Sequence, residues 1–172
     1  MSSLNTLIQD LVIANRILAK EDVVDAYGHV SVRHPENPSR FLIARSVSPE
    51  LVGAEDIVDN FGDTNLLVTD MAQGRDLAKC LGGNNVALMR GHGFAAASRS
   101  LIEVVRMSVY LPRNARVLMR AKQLGGEIKY LLAGEIEARN RGYRPYSPET
   151  WRAWEYWANR AGCGHLLTRP ES

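Results

Sequence analysis

The 172-residue sequence predicts an α/β domain of helices set against short strands, and three observations carry the prediction. An amphipathic stretch opens the chain, and a pair of short strand-like segments separated by turn residues follows it. Further on, a strand–turn–strand unit leads into the strongest helix signal of the sequence. A composition of 45% hydrophobic and 23% charged residues is that of a globular chain, and the length suits one domain over residues 1–172.

In the opening stretch, Leu4, Leu7, Ile8, Leu11, Val12, Asn15 and Leu18 fall on one helical face, with Ser2 or Ser3 placed to cap the first turn. His29-Val30-Ser31-Val32-Arg33 then alternates polar and apolar residues, and Arg40-Phe41-Leu42-Ile43-Ala44-Arg45 is a short apolar run. Pro35, Asn37 and Pro38 between them are turn formers, so the two segments read as a hairpin-like pair. Asp70 is placed to cap a helix through Ala72, Leu77, Ala78 and Leu81 that stops at Gly82-Gly83. Val86 to Met89 and Phe94 to Ala97 read as strands. Ser100-Leu101-Ile102-Glu103 is a capping-box pattern, and Ile102, Val105, Val109, Ala115, Val117, Leu118 and Ala121 carry a helix to Gly125-Gly126. Pro112 lies inside that helix and removes one of its hydrogen bonds, which predicts a kink or break near Ser108 to Leu111.

Trp151, Trp154 and Trp157 follow Ser147-Pro148-Glu149 at helical spacing, a stripe suited to the core or to a subunit interface. Cys80 and Cys163 form no Cys-x-x-Cys pair and read as two reduced thiols. A net charge of +2, with the basic residues scattered, provides no stripe to track a phosphate backbone, so no nucleic-acid partner is expected. No apolar stretch is long enough for a bilayer, and the start is amphipathic rather than signal-like. The expectation is therefore a cytoplasmic protein without membrane association.

The chemistry-bearing feature is Arg90-Gly91-His92-Gly93, directly after the apolar run Val86-Ala87-Leu88-Met89. An imidazole at the end of a strand, bracketed by glycines that let the backbone turn and leave room beside the ring, suits a metal ligand. On the motif alone, a turn histidine that ties down its own loop is the commoner use of such a residue.

Taken in order, Ala14-Asn15-Arg16-Ile17-Leu18, Asp25-Ala26-Tyr27-Gly28-His29-Val30-Ser31-Val32-Arg33, Phe41-Leu42-Ile43-Ala44-Arg45-Ser46 and Leu88-Met89-Arg90-Gly91-His92-Gly93 resemble the class II aldolase/adducin family. His29, where sugar-phosphate aldolases carry asparagine, and Arg45-Ser46-Val47-Ser48-Pro49-Glu50-Leu51, where they carry a Ser-Gly loop, resemble the branch that decarboxylates hydroxylated aromatic dicarboxylates. The resemblance implies a three-layer α/β/α fold with a mainly antiparallel central sheet flanked by helices. It further implies a divalent metal ion (Zn, Mn or Co) with His92 among its ligands, and a pocket for a small-molecule acid lined by His29, Ser31, Arg45 and Ser46. A homo-oligomer, tetrameric or higher, is implied as well. The alternatives within the same resemblance are an aldolase or epimerase acting on a sugar phosphate, and a non-catalytic adducin-like assembly module.

The resemblance breaks in the middle. Family members carry several tens of residues between the stretches matching Glu55-Asp56-Ile57-Val58-Asp59 and Phe61-Gly62-Asp63-Thr64-Asn65-Leu66-Leu67-Val68, and that insert holds a His-x-His pair and an acidic residue. Here the two stretches nearly touch at about Asn60, so the chain keeps one of three family metal histidines and the catalytic acid is unknown. Either the site is lost or a segment is omitted near 59–61. Omission fits better, because losing central strands would expose sheet edges and forfeit core. His29 and His34, five apart on a strand, point to opposite faces, and His165 lies in a glycine-flanked tail, so the remaining histidines do not rebuild a three-ligand site.

Overall fold

The computed structural model describes residues 3–45, 47–60, 71–89, 93–141, 144 and 146–169. Helix α1 (Leu4–Lys20) starts where the sequence places it, with the Ser3 hydroxyl accepting a hydrogen bond from the Thr6 N–H at 3.2 Å. It is more than a flanking helix. Ile13, Ala14 and Ile17 are as fully buried as Leu11, so apolar side chains leave α1 on several faces and make it the centre of the core.

On one side α1 meets α3 (Leu101–Leu124) and α5 (Pro148–Arg160). Leu101, Ile102, Val105 and Val109 of α3 and Trp151, Trp154, Trp157 and Ala158 of α5 share one buried cluster with Leu11, Ile13, Ala14 and Ile17. The tryptophan stripe thus fills the core of its own chain. On the other side lie a sheet of β1 (Ser31–Arg33), β2 (Phe41–Ala44) and β3 (Ile57–Asn60) and two 3-10 turns, Pro49–Leu51 and Ala54–Asp56. Val12 of α1 packs there with Ala44 and Val52.

The predicted hairpin of β1 and β2 is present and antiparallel, with Ser31 opposite Ile43 and Arg33 opposite Phe41. β3 adds an antiparallel strand with Ala44 opposite Ile57, giving the order β1-β2-β3. Helix α2 (Met71–Leu81) packs against β4 (Val86–Met89), which pairs with β5 (Gly93–Ala96) so that Met89 faces Gly93. Asp70, expected to cap α2, lies outside the described residues.

The expected mixture of helices and antiparallel strands is present. The described strands form two antiparallel sheets in which each strand pairs with its neighbour in sequence, and no described strand bridges β3 to the β4–β5 hairpin. Two expectations about α3 change. α3 runs through Pro112 without interruption. The proline forfeits one N–H, while buried Val105, Ser108 and Val109 fix the preceding turn against α1 and α5. The capping box at its start is only half formed: the Ser100 hydroxyl accepts from the Glu103 N–H, and the Glu103 carboxylate accepts from Ser98 Oγ at 2.6 Å. A further helix, α4 (Ala133–Asn140), has no counterpart among the sequence signals, since it buries no residue and carries no apolar stripe.

Candidate functional site

The three-stranded sheet sets the geometry. Ser31 faces Ile43 across β1–β2 and Ala44 faces Ile57 across β2–β3. Carrying the second register on by one residue brings Asp56 level with Arg45. The extension is a real backbone bond, with the Arg45 N–H donating to the Asp56 carbonyl at 2.8 Å. Arg45 and Asp56 thus extend the β2–β3 ladder at one end of the sheet, the end at which His29 precedes β1 by two residues and Ser31 begins the strand.

Two local devices shape this end of the sheet. Gly28 sits at φ +125°, where a side chain would also run into Val24, so only glycine delivers the chain to His29 in this direction. On the other flank, the turn Ala54–Asp56 folds back so that the Gly53 N–H donates to Asp56 Oδ2 at 2.9 Å. Asp56 Oδ1 receives Arg45 Nε–H at 2.6 Å, and Asp56 is buried while the Arg45 side chain remains 62% exposed. The Gly53 N–H and the Arg45 guanidinium hold the Asp56 carboxyl below its ordinary range. Desolvation pushes the His29 imidazole below its ordinary value, which favours the neutral ring.

Of the residues to which the sequence points, the sheet brings His29, Ser31 and Arg45 to one end; Ser46 lies outside the described residues. Sequence reasoning misses Asp56 as a site residue, although an acid three positions after Gly53 is a turn-capping signal of the kind that can hold a neighbouring cation. His92 also lies outside the described residues. Its flanks follow the sequence pattern: β4 ends at Met89, β5 begins at Gly93, and Gly93 has the positive φ (+89°) that a glycine permits.

The other histidines do not converge. His34 Nδ1 accepts from the Glu36 and Asn37 N–H groups, both at 3.2 Å, which makes it a turn-building residue. His165 is exposed in a C-terminal 3-10 turn. Among the described residues no group of three His, Cys, Asp or Glu is placed to hold a metal ion. Cys80 and Cys163 are free thiols.

A second feature lies elsewhere, a cleft of about 1250 Å³ between the β4–β5 hairpin, α3, α4 and α5. Arg106, Tyr110, Arg113, Arg152 and Tyr156 line it, and none of His29, Ser31, Arg45 or Asp56 does. We place the candidate site at the sheet end, because the cleft's Arg113 is committed to Glu21 and its acids Glu103 and Glu149 offset part of the remaining charge.

The fold and this sheet end define a mixed helix-and-sheet protein with an exposed arginine braced by Asp56 at the end where His29 leads into β1. No family model matches the chain. The chain is similar to the decarboxylase tropJ of Talaromyces stipitatus, with 22% identity across 88% of this chain and 92% of that protein. The alignment extends over 250 positions, more than the 172 residues of this chain, so part of that decarboxylase has no counterpart in it. Among the described residues no helix is long and apolar enough to cross a membrane.

Proposed function

We propose that the chain is a carbon–carbon lyase that decarboxylates a hydroxylated aromatic carboxylic acid. The single observation that carries this reading is Arg45, an exposed guanidinium braced by Asp56 at the sheet end. The end-to-end similarity to a decarboxylase supports it. A guanidinium whose Nη groups have no partner among the described residues suits a carboxylate bidentately, and an imidazole in its neutral form suits a phenolic hydroxyl as either donor or acceptor. Ser31 is a further hydroxyl on the same side, and Ser46 follows Arg45 in the chain.

In such a reaction the bond between the ring and the carboxylate carbon breaks, carbon dioxide leaves, and the electron pair stays on the ring until a proton replaces it. Arg45 orients the acid, and His29 fixes the ring through its hydroxyl. The resemblance that implies a divalent metal ion at His92 also implies a Lewis acid for the developing charge. The described residues provide no three-ligand group for that ion, so the steps assigned to this chain are those its own side chains perform.

The resemblance implies a homo-oligomer, and exposed apolar residues support it. Val117, Met119 and Leu124 on the C-terminal half of α3 are 65%, 62% and 88% exposed, and Tyr130, Leu131 and Leu132 follow them.

The deciding experiment measures carbon dioxide release from hydroxyphthalates, and in parallel cleavage of sugar phosphates, by the protein supplemented with Mn²⁺, Co²⁺ or Zn²⁺. Release from a hydroxyphthalate that is lost in Arg45→Ala is the expected result. Turnover confined to sugar phosphates rejects the decarboxylase reading in favour of an aldolase.

A further inference from the structure

We infer that Asp56 is a positioning residue for acid recognition: it grips Arg45 along one edge of the guanidinium and leaves the opposite edge as a preset fork for a carboxylate. The inference rests on the reading above, in which Arg45 is the residue that meets the substrate acid. Three observations carry it.

The first is which atom is held. Arg45 uses Nε–H toward Asp56, and the Nη groups have no partner among the described residues. A guanidinium held through Nε keeps a pair of N–H groups in one plane, which is the arrangement that meets two carboxylate oxygens at once.

The second is that Asp56 cannot swing away to follow Arg45. Its Oδ2 is taken by the Gly53 N–H, its own N–H bonds to the Gly53 carbonyl at 3.2 Å, and its carbonyl accepts the Arg45 N–H. The turn behind it is tied to the core as well, because Arg16 of α1 donates through Nε to the Val52 carbonyl at 2.9 Å, and Val52 is fully buried. The brace therefore runs from the central helix through the 3-10 turn to Asp56 and on to Arg45.

The third is the contrast in exposure. A buried carboxylate beneath a 62% exposed arginine places the fixed partner inside and the working face outside. An exposed arginine with no such brace loses side-chain freedom each time it binds an acid, whereas Arg45 has part of that cost removed in advance.

The test is calorimetric titration of the protein with 3-hydroxyphthalate, with and without Mn²⁺, together with a melting curve for every variant. Arg45→Ala is expected to lose binding by tenfold or more, which tests the site itself. Asp56→Asn is expected to weaken binding roughly fivefold to tenfold, the scale of ordering one long side chain. Introduced into Arg45→Ala, Asp56→Asn is expected to change affinity no further; a merely structural role would lower it in both backgrounds.

Wild-type affinity in Asp56→Asn, alongside lost binding in Arg45→Ala, overturns the positioning role and leaves the site reading standing. Wild-type affinity in Arg45→Ala, or no binding by the wild-type protein, overturns both. If Asp56→Asn does not fold, Arg45→Lys decides the matter. Its single ammonium cannot serve Asp56 and a bidentate acid together, so a fivefold or greater loss is expected and undiminished affinity overturns the inference.

Discussion

Glu21, the residue that ends α1, accepts a hydrogen bond from Arg160 Nη1 of α5 at 2.8 Å, and its other carboxylate oxygen is bonded by Arg113 of α3. One carboxylate therefore ties together the three helices that build the core. Its side chain is 2% exposed, while the two arginines are 45% and 39% exposed. Glu21→Gln keeps the shape and removes the charge that justifies burying the group. Because both arginines can turn to water, the expected loss is about 2 kcal/mol, below the range for a fully buried pair broken on one side. Urea denaturation checks it. A loss in Glu21→Gln equal to the sum of the losses in Arg113→Ala and Arg160→Ala would mean that the two arginines act independently.

Asp10 on α1 supplies a pH dependence of known sign. Burial raises its carboxyl from 3.8 to about 6, and the same burial, with the Asp10 charge nearby, raises the Tyr146 phenol. A carboxyl whose folded value lies above its unfolded value favours the folded state while protonated. Its stabilising contribution is complete below pH 3.8 and disappears as pH rises through about 6. The full difference corresponds to at most about 3 kcal/mol, and partial exposure brings the expected effect to about 1 kcal/mol. Asp10→Asn should therefore melt higher than wild type at pH 7, and the gap should close by pH 4. A gap that persists at pH 4 would assign the effect to packing.

The sequence is most legible where one local rule decides an element and the tertiary structure agrees. Ser3 before α1, Ser147-Pro148 before α5 and the turn residues between β1 and β2 each place an element end, and the structure follows them. β3 is illegible because Ile57-Val58-Asp59-Asn60 has no alternation of its own and becomes a strand by pairing with β2. A single-face reading of α1 misses Ile13 and Ile17, since periodicity finds a helix's most apolar side but cannot show that it is enclosed on several. In α3 the apolar pattern predicts burial to Ala121, yet burial ends at Val109 and Val117 faces solvent. For the site, His29, Ser31 and Arg45 are readable as residue types at or next to the paired strands β1 and β2. Asp56 carries a local turn-capping signal after Gly53, but its meeting with Arg45 comes from a cross-strand register that no local pattern encodes.

Trp154 joins an apolar advantage to a polar defect. It is 1% exposed in the cluster shared by α1, α3 and α5, and its Nε1–H has no hydrogen-bond partner among the described residues. Truncation to alanine removes a large buried surface and leaves a cavity, so Trp154→Ala is expected to lose about 4 kcal/mol. Phenylalanine keeps most of the ring volume and deletes the unpaired donor, whose burial carries a penalty of about 1–3 kcal/mol. The two effects oppose each other, which puts Trp154→Phe within about 1 kcal/mol of wild type, below the usual cost of shrinking a core aromatic. Trp157 provides the control. It is also buried, at 4% exposed, and its ring meets Tyr110 edge-on at 5.9 Å, a contact with its own geometric preference. Its indole N–H is not among the unpaired buried groups, so Trp157→Phe has no such defect to relieve and should cost more than Trp154→Phe. Equal losses in chemical denaturation of the two phenylalanine variants would show that the Trp154 N–H is no liability in the folded chain.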